Sequence, residues 1–278
     1  MLKLAANLSF LFPELPFFDR FTAAADAGFK AVEYMFPYDF DSDEIRRRLD
    51  AHHLEQVLFN LPAGDWTAGE RGIACLPGRE AEFRAGVARA LPLAKKLGVR
   101  HLNALAGLKP ALVSDEACRQ TLLANLRYAA DATAASGVQL LIEPINSRID
   151  MPGFWLDTPA KAVAMIDALQ HSNLRLQYDV YHAHVMGCDV VHEVPRLLPL
   201  IGHIQVADHP GRHQPGCGEI PYAALFECLV RHAYKGWIGC EYRPLGSTAA
   251  SLAWAASHLA PTLSDNRPAG RAPQAERP

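Results

Sequence analysis

The amino-acid sequence predicts an α/β fold, a single (β/α)8 TIM barrel that spans residues 1–260. Eight short segments of apolar and β-branched residues alternate with eight helical patterns, which is typical of a parallel sheet closed into a barrel. The chain has 278 residues, and 50% of them are hydrophobic, which is enough for one large core. A doubly wound sheet is the alternative, but the GxGxxG or P-loop sequence that it would need is absent.

The first four strand–helix units are bounded by glycine and proline. Glycine follows the predicted helices at Gly28 and Gly98, a common helix C-terminal signal, and Ser114 is placed to cap the fourth helix. Residues 63–78 form a long glycine-containing loop, and loops of this length are usually functional or mobile. The predicted strands are 2–8, 31–34, 56–60 and 99–105, and the predicted helices are 16–27, 41–53, 79–97 and 114–136.

The last four units repeat one design, in which an apolar strand runs directly into a polar side chain. The first of them ends at Glu143 and is closed by Pro144, which cannot continue a hydrogen-bonded ladder. Thr158 is predicted to cap the helix that follows. The predicted strands are 140–143, 174–179, 201–205 and 237–241, and the predicted helices are 158–170, 189–198, 221–232 and 247–258. Residues 261–278 are rich in Pro, Ala and Arg without periodicity, which predicts a disordered tail.

Four oxygen-bearing side chains stand at the ends of these strands: Glu143, Asp179, Gln205 and Glu241. Active sites of such barrels lie at the carboxyl ends of the strands, so we expect the four to converge. Carboxylate and amide oxygens are hard ligands that suit Mg²⁺ or Mn²⁺ and suit a structural zinc poorly. For any single acid, a helix N-cap or a surface ion pair is the alternative interpretation.

Several other polar residues are weaker candidates for binding a substrate. His182 follows Asp179 by three residues and is a candidate metal ligand, a partner that orients one, or simply a loop histidine. Arg212 could hold a carboxylate through a forked pair, or belong to a solvated loop. Asn60 and His101, on the third and fourth strands, complete this set. Trp66, Glu70 and Arg71 in the long third loop are candidates for a lid over the site, with a simple surface loop as the alternative.

Charge and composition argue against several classes of protein. The net charge is -3 and the pI about 6.4, whereas proteins that bind nucleic acid or anionic membranes usually carry a basic surplus. No apolar run reaches the ~18 residues of a membrane-spanning helix. The six cysteines form no CxxC pair, which predicts reduced thiols and a cytoplasmic protein. A homo-oligomer is possible, and the expected partner is a small molecule.

Seven short motifs are spread along the chain: Asn7-Leu8-Ser9, Phe36-Pro37-Tyr38, Asn60-Leu61-Pro62-Ala63-Gly64-Asp65-Trp66, Gly69-Glu70-Arg71-Gly72, Ile142-Glu143-Pro144-Ile145-Asn146, Gln177-Tyr178-Asp179 and Gly239-Cys240-Glu241-Tyr242. Together they resemble the hydroxypyruvate isomerase family of the xylose-isomerase-like barrel superfamily, over residues 1–258. One departure is Asp208-His209-Pro210, where asparagine is expected before the proline, and it leaves the role of His209 open.

The resemblance implies a reaction, a metal and roles for the strand-end residues. The reaction is the interconversion of hydroxypyruvate, a hydroxy-oxo acid, and tartronate semialdehyde, within glyoxylate metabolism. The divalent metal ligands map onto Glu143, Asp179, Gln205 and Glu241, and two of them, Glu143 and Glu241, form the proton-transfer pair. One glutamate removes a proton from C3, the metal stabilises the enediolate, and the other glutamate delivers a proton to C2. Which glutamate acts first is left open.

Four alternatives remain at this point. A 2-oxo-tetronate isomerase and a sugar epimerase of the superfamily would keep the same metal site. An endonuclease of the superfamily would need a histidine-rich zinc cluster and a basic groove. A non-catalytic binding barrel would have no need of paired glutamates.

Overall fold

The structure is a computed structural model in which residues 1–259 are described. Its parallel strands form one nearly closed barrel, in the order β3-β2-β1-β9-β8-β7-β6-β5-β4, which confirms the predicted fold. The predicted tail, residues 261–278, lies outside the described residues. The strands are β1 Lys3–Asn7, β2 Ala31–Glu33, β3 Glu55–Gln56, β4 Leu58–Asn60, β5 His101–Ala104, β6 Gln139–Ile142, β7 Leu174–Asp179, β8 Ile201–Val206 and β9 Trp237–Cys240.

The third predicted strand is divided in two at Val57, so the structure has one strand segment more than predicted. On one side of this point β3 pairs with β2, and on the other β4 pairs with β5. The amide of Val57 donates to Val32 at 2.9 Å, and its carbonyl accepts from His101 at 3.2 Å. Val57 is therefore the residue at which the chain changes its neighbour, and the barrel closes there.

Helices follow the strands as the alternation predicted. Two predicted N-caps are confirmed, because Ser114 accepts from Ala117 at 3.2 Å and Thr158 from Lys161 at 3.3 Å. The helices are α1 Asp19–Asp26, α2 Ser42–Ala51, α3 Glu80–Leu97, α4 Asp115–Ala135, α5 Pro159–Leu169, α6 Val180–Val185, α7 Val190–Leu197, α8 Tyr222–Arg231 and α9 Thr248–Ser251. Of these, α6 was not predicted; it begins directly after β7 and is capped by Asp179, whose side chain accepts from the amide of His182.

The prediction of one continuous last helix over residues 247–258 is wrong, because the helix is shorter. The α-helix ends at Ser251, and a separate 3-10 turn covers Ala253–Ala255. The Ser251 hydroxyl donates to the Thr248 carbonyl at 2.7 Å, and the Leu252 amide bonds the Ala249 carbonyl three residues back at 3.3 Å. The side chain thus takes an acceptor near the end of the helix, and the backbone tightens to the 3-10 pattern.

The lumen of the barrel changes from apolar at its base to polar at its mouth. Side chains two residues apart on a strand share a face. Ala5 therefore lies below Asn7, Ala31 below Glu33, and Leu141 below Glu143, on the side towards the base of the barrel. Ala5, Ala31, Val57, Leu58 and Leu141 form a buried apolar cluster. This cluster closes the base of the lumen, and the polar residues above it line the site. No helix within residues 1–259 is both long and apolar enough to cross a membrane.

Candidate active site

The strand register brings the four predicted strand-end residues to the same end of the barrel. Asp179 on β7 pairs with Gln205 on β8, and Gln205 pairs with Gly239 on β9, two residues before Glu241. Glu143 directly follows β6. Glu143, Gln205 and Glu241 line one cavity of about 250 Å³. Asp179 is 2% exposed and lies beside them, against Arg212.

Glu143 is a buried carboxyl held by one neutral donor. The side-chain amide of Asn103 donates to its Oε2 at 2.8 Å. Burial, and then the charges of Glu241 and Asp179, raise the pKa of Glu143 well above its ordinary value. In the metal-free site the protonated form of Glu143 is therefore favoured.

Glu241 is buried like Glu143 but has a cationic partner. Nη2 of Arg212 lies 2.6 Å from its Oε1, and Nδ2 of Asn7 lies 3.2 Å from its Oε2. The side-chain amide of Gln205 also donates to this second oxygen. Burial raises the pKa of Glu241 to about 8, although Arg212 lowers it in part.

Asp179 has one carboxylate oxygen without a hydrogen bond. Its Oδ1 caps α6, while no described residue donates to its buried Oδ2. That oxygen lies 3.8 Å from Nη2 of Arg212 and 3.9 Å from Nε2 of His182. Burial raises the pKa of Asp179 even though Arg212 opposes the shift. A buried carboxylate oxygen without a partner is costly, and a bound cation would remove that cost.

One cluster within residues 1–259 has metal-ligand spacing: one atom each of Glu143, Asp179 and His182 lies within 4.8 Å of the others. His182 fits the role of a donor better than that of a ligand. Asn146 donates to Nδ1 of His182 at 2.7 Å, and also donates to Asp150 at 2.7 Å, which fixes the orientation of its amide. Since Nδ1 accepts, the proton of the neutral ring is on Nε2, which faces the cluster. Burial, and then Arg212, lower the pKa of His182 well below its ordinary value, so the ring is neutral.

Gln205 presents its amide nitrogen, and not its oxygen, to the carboxylates of Glu33 and Glu241. Its Nε2 donates to Glu33 at 2.8 Å and to Glu241, and its Oε1 accepts from Gln177 at 2.6 Å. Gln205 can bind a cation through its oxygen only if its side-chain amide rotates by about 180° and exchanges the positions of nitrogen and oxygen. Oε1 of Gln177 accepts no hydrogen bond in the described part of the chain, so Gln177 can turn with it and supply an acceptor.

Sequence reasoning missed Glu33, a buried acid that also lines the cavity. It accepts from Asn7 at 2.9 Å and from Gln205 at 2.8 Å, and its other oxygen contacts Nε2 of His203 at 2.6 Å. A side chain at Gly239 would have its Cβ 2.3 Å from Glu33, so this acid needs glycine opposite it. The signal was present, because Glu33 also ends an apolar strand.

The four weaker candidates fall at different depths. Asn60, His182 and Arg212 line the cavity. His101 does not line it: the ring lies one layer lower, with its centroid 6.1 Å from that of His203. Burial, and then His203, lower the pKa of His101 to about 4.

Arg212 is buried on the loop after β8 and faces three acids. Besides Glu241, it lies 3.4 Å from Asp150 and 3.8 Å from Asp179. Its guanidinium lies over the rings of Phe10 and Tyr181, at 4.8 and 5.3 Å from the centroids. The carboxylates raise its pKa against the effect of burial, which lowers it. This arginine therefore compensates part of the acidic charge of the site.

Asp208 holds the conformation of this loop. It belongs to the segment Asp208-His209-Pro210, which differs from the family's motif. Its side chain accepts from the backbone amides of His209, Gly216, Gly218 and Ile220 at 2.8 to 3.1 Å. These bonds fold the loop back over β8. Of the three residues predicted to form a lid, Trp66 and Arg71 line the cavity, whereas Glu70 pairs with Arg79; the lid itself stays a prediction.

A family model described as xylose isomerase-like TIM barrel matches residues 21–258. The chain belongs to the xylose isomerase-like TIM-barrel family. Within it, the chain is 49% identical over 254 residues to hydroxypyruvate isomerase of Escherichia coli strain K12, covering 91% of this chain and 98% of the relative. It is also 49% identical over 259 residues to 2-oxo-tetronate isomerase of Cupriavidus necator, covering 93% of this chain and 99% of the relative.

Two solved structures have the same barrel fold. A structure from Brucella melitensis, described as an AP endonuclease of family 2, is 45% identical with a TM-score of 0.91, covering 94% of this chain and all of that one. The 3-keto-D-glucoside 4-epimerase of E. coli has a TM-score of 0.76 at 20% identity, over 92% of this chain and 99% of that one. At 20% identity the likeness concerns the fold alone.

Proposed function

We propose that this family member is an isomerase that interconverts hydroxypyruvate and tartronate semialdehyde. The observation that carries the proposal is the pair Glu143 and Glu241, which line the same small cavity and have raised pKa values. A reaction that moves a proton between adjacent carbons needs two groups able to accept and return protons near neutral pH. The name of the E. coli relative, which is 49% identical, agrees with this chemistry.

The site also suits a divalent cation held by Glu143, Asp179, Gln205 and Glu241. The unpartnered Oδ2 of Asp179 and the closeness of Glu143 to Asp179 support this assignment. Oxygen ligands favour Mg²⁺ or Mn²⁺. When bound, the cation would polarise the carbonyl and lower the pKa of the adjacent C–H group.

The protein's own residues then carry the proton transfer. One glutamate takes a proton from C3 and the other gives a proton to C2, while the hydroxyl proton passes from the oxygen on C3 to the oxygen on C2. Asn103 and Asn7 hold the two carboxyls in place, at 2.8 and 3.2 Å. Nε2–H of His182 is available to a substrate oxygen. The buried position of both acids keeps water from competing for their protons.

A 2-oxo-tetronate isomerase is the second candidate, because the relative from C. necator that bears this name is also 49% identical. Both reactions act on 2-oxo acids and use the same proton transfer. An endonuclease, the description of the B. melitensis structure, fits this site less well. Asp150, Asp179 and Glu241 surround Arg212, and these carboxylates would repel a phosphodiester backbone.

We further propose that the enzyme works in the cytoplasm. All six cysteines are free, which suits a reducing compartment. The predicted homo-oligomer and the place in glyoxylate metabolism stay predictions.

A coupled assay tests the proposed function. The protein is incubated with Mg²⁺ or Mn²⁺ and hydroxypyruvate, and a reductase specific for tartronate semialdehyde reports the product. Parallel reactions contain 2-oxo-tetronate or a free ketose. Turnover of hydroxypyruvate with the highest kcat/KM supports the proposal. A higher kcat/KM with 2-oxo-tetronate would assign the second candidate, and turnover of the ketose alone would contradict both.

A further inference from the structure

Three arginines line the cavity: Arg212, Arg71 and Arg243. Arg243 is exposed, whereas Arg71 is half-buried and its charge is not offset by a salt bridge in the described residues. Arg71 lines the cavity together with Glu143, Glu241 and Arg212. No salt bridge within residues 1–259 includes Arg71, whereas Arg212 contacts three carboxylates. A negatively charged substrate group would therefore meet an acidic surrounding at Arg212 and an unneutralised cation at Arg71.

The segment that carries Arg71 is fixed to the barrel mouth. The amide of Gly72 donates to Ala63 at 3.0 Å, and the amide of Cys75 donates to Ala106 at 2.8 Å. Gly72 and Ala106 form an antiparallel bridge, and a Cβ at Gly72 would lie 2.4 Å from the Leu105 carbonyl oxygen. This close approach requires glycine at position 72. It places residues 63–75, a segment that we call the mouth strap, beside the end of β5.

Glu70, the neighbour of Arg71, is turned away from the cavity. Its carboxylate pairs with Arg79 at 2.7 Å and accepts from the amide of Asp65 at 2.6 Å. The acid next to Arg71 in the chain is thus occupied by other partners, and its contacts also hold the mouth strap in place. This arrangement leaves the charge of Arg71 available to a ligand.

The guanidinium of Arg71 is oriented before any ligand arrives. Its Cζ lies 4.4 Å from the centroid of the Trp66 ring, and Trp66 in turn packs edge-on against Phe36 at 5.1 Å. Nη1 donates to the carbonyls of Trp66 and Glu70 at 3.0 and 2.7 Å. Nε and Nη2 donate to no described residue. These two donors form one edge of the planar group, which matches the two oxygens of a carboxylate.

We propose that Arg71 binds the carboxylate of the substrate and so selects 2-oxo acids over uncharged sugars. The inference rests on the proposed function, and it holds for either candidate acid. Arg71, Glu143 and Glu241 line one cavity, so a carboxylate on Arg71 would leave the carbonyl and hydroxyl carbons in the space that the two glutamates share. Lysine at this position would keep the charge but lose the forked geometry.

The test compares Arg71→Met and Arg71→Lys with the matched control Arg89→Met. Arg89 repeats the local arrangement outside the cavity, with Cζ 4.7 Å from the Tyr38 ring and Nη2 3.3 Å from the Tyr38 carbonyl. The holoenzyme variants are assayed with hydroxypyruvate, and dihydroxyacetone serves as a neutral analogue in which CH₂OH replaces the carboxylate. Dihydroxyacetone is scored as a substrate or, by competition, as an inhibitor.

We expect KM for hydroxypyruvate to rise about 30-fold or more in Arg71→Met and about tenfold in Arg71→Lys, with a smaller change in kcat. The constants for dihydroxyacetone should change less than about threefold, and Arg89→Met should match the wild type. A KM in Arg71→Met within threefold of the wild type would overturn the inference. Equal losses for hydroxypyruvate and dihydroxyacetone would also overturn it, since they would show a structural role. An inactive wild type would instead contradict the proposed function.

Discussion

Asn103 donates a hydrogen bond of 2.8 Å to Glu143, and the asparagine comes from β5, the strand next to β6. The same relationship recurs at the other glutamate, because Asn7 on β1 donates to Glu241 after the neighbouring β9. Each carboxyl is thus oriented by a neutral amide from an adjacent strand. A neutral donor fixes the position of the acid without holding its pKa down as strongly as a cation would.

Metal binding should strengthen as pH rises towards 8. The pKa of Glu241 is about 8, raised by burial, so below this pH the metal-free site holds a proton that a cation must displace. Release of the Glu241 proton should raise the affinity by up to about tenfold per pH unit between pH 6 and 8, and release of a proton from Glu143, whose pKa is also raised, would add to this slope. Calorimetric titration of the metal-free protein with Mn²⁺, in buffers of different ionisation enthalpy, measures the affinity for the metal and the number of protons released.

Glu241→Gln is the control for this titration. The variant cannot release the proton, so its affinity should be weaker and its pH slope shallower. An affinity for Mn²⁺ that is the same at pH 6 and pH 8 in the wild type would contradict the prediction.

His101 should make the metal-free protein sensitive to acid. Its pKa is about 4 in the fold, lowered by burial, against about 6.5 when unfolded, so the unfolded chain takes up the proton first. The stabilisation is complete above pH 6.5 and is lost as pH falls through 4; a shift of this size corresponds to about 3 kcal/mol. Urea unfolding with EDTA at pH 7 and pH 4.5, for the wild type and His101→Gln, measures it. Equal losses of unfolding free energy in the two proteins would refute the assignment.

Gly72→Ala, in the mouth strap, should lower the free energy of unfolding more than Gly78→Ala, which lies just outside it. Both glycines have positive φ, at 116° and 85°, but only at Gly72 would the new Cβ meet a backbone oxygen, that of Leu105 at 2.4 Å. We expect Gly78→Ala to cost about 1 kcal/mol in free energy of unfolding and Gly72→Ala at least about 2 kcal/mol more. Thermal melts measure the difference, and comparable costs would show that the close approach is unimportant.

The sequence predicted the strand ends well because several local signals agree there. At Glu143, an apolar run, a carboxylate and a proline mark the same boundary, and parallel strands of similar length must align these boundaries. The cap residues Ser114 and Thr158 were predictable for the same reason, since their side chains act on amides three residues away.

What the sequence did not indicate depends on contacts between distant residues. Glu33 meets His203 across 170 residues, and the direction of Arg212 depends on a loop that Asp208 folds through four backbone amides. The division of the third strand at Val57 arises only when the barrel closes. Local patterns carry no information on such pairings, so His101 was grouped with the cavity residues although it lies one layer lower.

The two-glutamate mechanism is tested most directly by the turnover of Glu143→Gln and Glu241→Gln in the coupled assay, beside Glu219→Gln, an acid on the exposed loop that pairs with His184. Each cavity variant should lose at least about 10³-fold in kcat, because glutamine keeps the shape but cannot transfer a proton. Neither should lower the melting temperature of the metal-free protein, since the raised pKa values already favour the neutral acids. Turnover near that of the wild type in either cavity variant would contradict the mechanism.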